Sequence, residues 1–358
     1  MKQPALGLAA SAIVIAIALA YISLFAFPSF VGWVSFFMLG LIPMQVVAVV
    51  LWGGNPGFVK SLPQPAKGVV LVLVTIVVAA VTTAAAFVVV GESVSPPGPI
   101  PSHFAVIVVP TTFWLAIMMG GWPFTSLIKN PIVAGLAVVV AAYVLTYVEF
   151  RLFFNYEFMK GAPVYLASAP SGMFNAVLAL VFHVTALAVM FLVLCFDLWP
   201  LTSSPGIMKQ PVLGLVWSVI ALGGSALAMW VGIGVFGMDP MAFLTGVTAP
   251  FIFGTIIVLN MLQNSLVGAM QQPAKGLANA IAASAIGVVL AHVYTGLAPV
   301  VTGTLVSGPP GYDMEVWLAN ALLSVTFPFL IYYAVFFAYW PLPKRAPVPT
   351  SAGEMKSA

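Results

Sequence analysis

The stretch QPAKGVVLVLVTIVVAAVTTAAAFVVV, residues 64–90, decides the class of this protein. From Gly68 to Val90 it carries no charge, and its only polar side chains are Thr75, Thr82 and Thr83. A helix crossing the hydrocarbon core needs about 20 apolar residues, so this run spans a bilayer. Lys67 stands just before it, where a basic residue meets lipid head groups.

The same reading extends along the chain. Ten segments qualify: Ala5–Phe27, Val31–Trp52, Gly68–Val90, His103–Gly121, Ile132–Phe154, Met173–Leu198, Val212–Phe236, Met241–Leu262, Gly276–Leu297 and Val316–Trp340. Gly/Pro punctuators separate them, such as Gly53-Gly54-Asn55-Pro56-Gly57 and Pro96-Pro97-Gly98-Pro99. No segment offers the polar face of a surface helix. Of 358 residues, 62% are hydrophobic and 5% charged, against roughly 25% charged in soluble domains. The fold class expected is an all-α integral membrane protein. The apolar run after Lys2 is long for a signal peptide, and Phe27-Pro28-Ser29-Phe30 is a poor cleavage site, so the first helix is expected to be retained.

Orientation follows from the basic residues. One set of loops holds Lys2, Lys60, Lys67, Lys129, Lys209, Lys275, Lys344, Arg345 and Lys356; the other holds Arg151 and Lys160. Both termini are therefore expected in the cytoplasm, with the protein in the cell membrane. The tail 341–358 reads as a disordered cytoplasmic end.

The opening motif recurs. Gln64-Pro65-Ala66-Lys67-Gly68 returns as Gln272-Pro273-Ala274-Lys275-Gly276, and Met1-Lys2-Gln3-Pro4 returns as Met208-Lys209-Gln210-Pro211. Asn130-Pro131-Ile132 is a looser copy. Proline suits a first helical turn, where its missing N–H has no partner to lose. The second helix of most pairs carries an internal proline (Pro43, Pro110, Pro250, Pro328), and most close on Trp (Trp52, Trp122, Trp199, Trp340). The predicted organisation is five parallel two-helix repeats, at 1–63, 64–129, 130–208, 209–271 and 272–340.

Ionisable groups inside a membrane are functional candidates. His103, His183 and His292 all fall in the outer half, as candidate metal ligands or proton carriers; no two share a local ligand spacing. Glu149 and Arg151 lie near the outer end of the fifth span, two residues apart and so on different helix faces. Asp197, at the inner end of the sixth span, is expected to pair with a loop lysine. Asn260 and Asn264 mark the polar inner end of the eighth. Cys195 is the only cysteine, which excludes an internal disulfide. No phosphate loop, H-E-x-x-H or haem-attachment motif is present, so no cofactor is assigned and nothing indicates nucleic acid. The expected function is a transporter or channel for a small, largely uncharged or weakly anionic solute. The alternative is a membrane subunit of a larger assembly with an outward-facing histidine metal or redox site. An enzyme on a lipid-soluble substrate is third, and would have to use the outer histidines with Glu149. Beyond the lipid bilayer, protein partners or a homo-oligomer remain open.

Overall fold

The computed structural model describes residues 2–268 and 270–342; most of the expected tail, including Lys344, Arg345 and Lys356, lies outside them. It contains ten helices long and apolar enough to cross a membrane. They are span 1 (Ala5–Ile22), span 2 (Phe27–Val50), span 3 (Ala66–Val89), span 4 (Pro99–Met118), span 5 (Pro131–Phe153), span 6 (Ala176–Cys195), span 7 (Val212–Val235), span 8 (Pro240–Met261), span 9 (Ala274–Val301) and span 10 (Asp313–Phe336). Several boundaries differ from the sequence expectation because proline fixes helix starts. Pro28, Pro99 and Pro240 sit in the first turns. Phe27 thus opens span 2 instead of closing span 1, and His103 lies one turn inside span 4 instead of beginning it. The short loop after Ile22 and the ten-span count place residues 2 and 342 on one face, here the terminal face; the other is the loop face.

The spans sort into two layers. Even-numbered spans are 50–72% buried and odd-numbered ones 28–39% buried. Spans 2, 4, 6, 8 and 10 each pack on two neighbours in that order, and span 10 packs back on span 2, so they close a five-helix ring. Each odd span lies outside, in the groove between two ring helices: span 3 on 2 and 10, span 5 on 4 and 2, span 7 on 6 and 4, span 9 on 8 and 6, span 1 on 10 and 8. An outer helix needs only a narrow inward stripe, and in lipid close approach favours small residues there. Span 9 buries Gly276, Asn279, Ala283, Gly287, Ala291, Tyr294 and Ala298 at helical spacing. Its outward side, Leu277, Ile281 and Val289, faces lipid.

The internal prolines shape the ring helices. Proline removes one helical hydrogen bond and its ring clashes with the carbonyl four residues back. π turns are the other usual place where a helix bends. Pro250 and Pro328 each stand two residues past the end of a π segment, Leu244–Thr248 and Asn320–Thr326, and Pro110 is followed by one at Trp114–Met118. Span 6, the ring helix without an internal proline, is α-helical from Ala176 to Cys195.

On the terminal face, glutamine side chains join the layers. Gln3 Nε2 donates to Met261 O, Gln64 Nε2 to Phe336 O and Gln210 Nε2 to Met118 O, at 2.9, 2.6 and 2.8 Å. Gln272 Nε2 donates to Asp197 Oδ2. The Oε1 of Gln3, Gln210 and Gln272 accepts from the N–H of the glycine four residues on. Each bond reaches the end of a ring helix, and in three cases it satisfies a carbonyl the helix end would leave free. Trp52 makes the corresponding link for span 5, its Nε1 donating to Pro131 O.

Candidate functional site

The ring encloses an axial cavity system. At mid-depth all five even spans contribute an apolar throat of about 30 Å³. Leu39, Ile42, Val109, Leu187, Ile252 and Leu323 form its wall, with Phe113, Phe191 and Phe327 inside the same layer. Phe113 packs on both other rings, with centroids 5.4 Å from Phe191 and 6.1 Å from Phe327. A space this size holds about one water-sized molecule, and Phe113 packs between the other two rings in its lining.

Above the throat, toward the loop face, a vestibule of about 210 Å³ shares Leu39, Val106, Val184 and Leu323 with it. Its polar lining is Ser102, His103, Asn320 and Ser324. Asn320 is satisfied within span 10: its Nδ2 donates to Val316 O and its Oδ1 accepts from Ser324 Oγ. His103 Nδ1 lies 2.9 Å from the Tyr156 hydroxyl. Tyr156 belongs to the long loop between spans 5 and 6 and is fully buried; burial holds its phenol well above the usual range. The loop closes through a short parallel pairing of Phe154–Asn155 with Phe174–Asn175.

A second cavity, also about 210 Å³, opens sideways between spans 5 and 7, with spans 4 and 6 as its floor. Pro110 and Leu187 line both it and the throat. Here Glu149 Oε2 lies 4.0 Å from His183 Nε2 and accepts from Thr111 Oγ1 at 3.1 Å. Trp114 Nε1 donates to Ser218 Oγ across spans 4 and 7. Span 6 starts at Ala176, so His183 is about 10 Å deep at 1.5 Å per residue.

The structure thus unites two of the sequence candidates and scatters the rest. Glu149 and His183 share the lateral cavity. His103 faces the vestibule. His292 is exposed on the outer side of span 9, its Nδ1 against Val288 O. Among the described residues, no group of three His, Cys, Asp or Glu side chains could hold a metal. Arg151 turns away from Glu149, as their spacing required, and donates to Ser168 O. Asp197 pairs with a lysine as expected, Lys275 at 2.6 Å, which stands in the first turn of span 9. Asn264 accepts from Asn279, and Asn260 offers its carbonyl to Tyr339. Both lie at the terminal-face end of span 8, away from the axial cavities. The three phenylalanines of the throat and Thr111 were not legible as site residues. A Phe in an apolar span carries no signal of which way it points, and Thr111 is one hydroxyl among many.

Comparison with protein-family models, with curated proteins and with solved structures returned no match. The class is therefore defined by the helices themselves: a multi-pass α-helical membrane protein.

Proposed function

We propose that this protein is a gated channel or carrier for a small, uncharged solute, and that its path is the axis of the five-helix ring. The observation that carries this reading is the axial sequence of vestibule and throat, to which every ring helix contributes. A hydrophobic constriction of this kind closes by excluding water. It also selects against ions, since an isolated charge in an apolar medium costs many kcal/mol. The vestibule supplies hydroxyl and amide groups suited to a neutral polar molecule. Opening requires the phenylalanine rings to part, and the π turns beside Pro110 and Pro328 supply loosely bonded backbone next to Phe113 and Phe327.

The chain is built, on this reading, as five parallel hairpins around that axis, with both termini cytoplasmic. Support comes from the recurring Gln-Pro starts, whose side chains bond corresponding ring-helix ends, and from the basic residues gathered on the terminal face.

The test is stopped-flow flux in reconstituted vesicles, with water, urea and glycerol as neutral probes and potassium and chloride as ionic ones. Neutral flux above protein-free vesicles, raised further by Phe113→Ala and with ions still excluded, is expected. Equal flux in protein-free, wild-type and Phe113→Ala vesicles would overturn the proposal.

A further inference from the structure

The lateral cavity is a different kind of space from the axial path. Two other grooves between outer spans give the contrast. The groove between spans 1 and 3 is lined by groups such as Tyr21, Phe37, Leu41 and Phe329. In the groove between spans 7 and 9 the hydroxyls of Thr185, Thr248 and Ser284 all donate to their own helices. Such surfaces suit acyl chains. The window between spans 5 and 7 instead presents a carboxyl and an imidazole to the membrane interior, with side chains 29% and 20% exposed.

Their hydrogen bonding shows what they lack. His183 Nδ1 sits 2.7 Å from Ala179 O. A carbonyl only accepts, so Nδ1 carries the proton, and in the neutral ring Nε2 is left as an acceptor. That nitrogen faces Glu149 Oε2, also an acceptor when ionised, at 4.0 Å, too far for a direct hydrogen bond. Thr111 has one hydroxyl proton, and it stands within reach of both Ile107 O and Glu149. With His183 neutral and Glu149 ionised, the pair therefore has two acceptors and only the shared Thr111 hydroxyl as a donor. The aromatic groups that line the window, Phe182 and Trp114, suit a flat ring. An apolar cavity of about 150 Å³ holds benzene; 210 Å³ admits a substituted six-membered ring.

We infer that this window binds the ring of a lipid-soluble phenol of the hydroquinone type, which enters from the bilayer and donates its hydroxyl to His183 Nε2 and Glu149. The site favours the hydroxyl-bearing form over an ether or quinone of the same shape, because those bring acceptors to acceptors. It stands apart from the axial pathway: binding here requires no flux, and flux requires no binding here.

The test uses the full chain in nanodiscs, kept anaerobic, with tetramethylhydroquinone and its dimethyl ether as probes. Binding is followed by quenching of tryptophan fluorescence and by equilibrium dialysis. The wild type is expected to bind the hydroquinone at least about tenfold more tightly than the ether, as expected for a hydrogen bond to a charged or strongly polar acceptor. The variants His183→Gln and Glu149→Gln should each reduce that ratio, and the double variant should bring it close to one. Leu222→Trp, which adds bulk to the window lining while leaving Glu149 and His183 in place, should weaken both probes. Equal affinity for hydroquinone and ether in the wild type would overturn the inference, as would a ratio unchanged in the double variant. If the polar variants fail to fold, the wild-type ratio and Leu222→Trp decide the matter.

Discussion

Gly254 and Gly287 lie where spans 8 and 9 cross most closely. A Cβ on Gly254 would fall 1.8 Å from Ala283 O, and one on Gly287 would fall 1.9 Å from Pro250 O. Both contacts are with backbone, so no side chain can yield. Either Gly→Ala change should destabilise the protein by about 1–3 kcal/mol or more, measured as a lower thermal midpoint in detergent; Gly296→Ala, where a Cβ meets open space, should be silent. The long loop offers a second test at this scale. Glu92 accepts from the Ser168 amide at 2.5 Å while Arg151 donates to Ser168 O. Hydrogen bonding from Ser168, side chain first and backbone second, holds the Glu92 carboxyl below the usual carboxylate range. A depressed folded-state value means the attachment is fully present above the unfolded carboxylate range and is lost as pH falls through the folded value. Acidification below about pH 4 should therefore lower the protection of the Ser168 amide relative to its intrinsic exchange rate, and Glu92→Gln should do so at neutral pH.

At the scale of elements, the glutamine contacts are the joints between layers. Gln210 is bonded at both ends, to Met118 O and to the Gly214 N–H. Gln210→Ala frees both groups near the membrane surface, and a loss of about 1 kcal/mol is expected, since interhelical side-chain bonds in membranes average less than 2. The joint has a steric half as well. Gly214 lies so close to Met119 that a Cβ would approach its sulfur to 2.2 Å, so Gly214→Val should cost more than Gln210→Ala in the same unfolding assay. The ten spans and the Gln-Pro starts could be read directly, because lipid demands long apolar helices and proline marks their first turns. What the glutamines bond was not legible. Their partners lie 92 to 272 residues away for Gln210 and Gln64, and only the packing order of the helices brings them together.

For the whole molecule, the ring explains why the candidate polar residues separated. Odd spans lie outside and even spans inside, so His292 on span 9 and His183 on span 6 could not meet at one axial site. The composition announced lipid as the solvent, yet near-uniform apolar helices carry almost no record of which face turns inward. Burial here is set by small residues such as Gly7, Ala10 and Ala18 on span 1 and not by polarity, so the ring and the phenylalanine cluster in its throat emerge only in three dimensions. The most direct measurement of the axial account is thiol accessibility in intact cells, in a Cys195→Ser background, with a membrane-impermeant reagent applied outside. On the proposed orientation, with the loop face outside, Ser102→Cys and Asn320→Cys should be modified, because they line the vestibule on that side of the throat. Ile252→Cys and Leu187→Cys in the throat should stay unmodified until Phe113→Ala is added. Unreactive vestibule cysteines, or throat cysteines that react without that change, would contradict a path closed at the three phenylalanines.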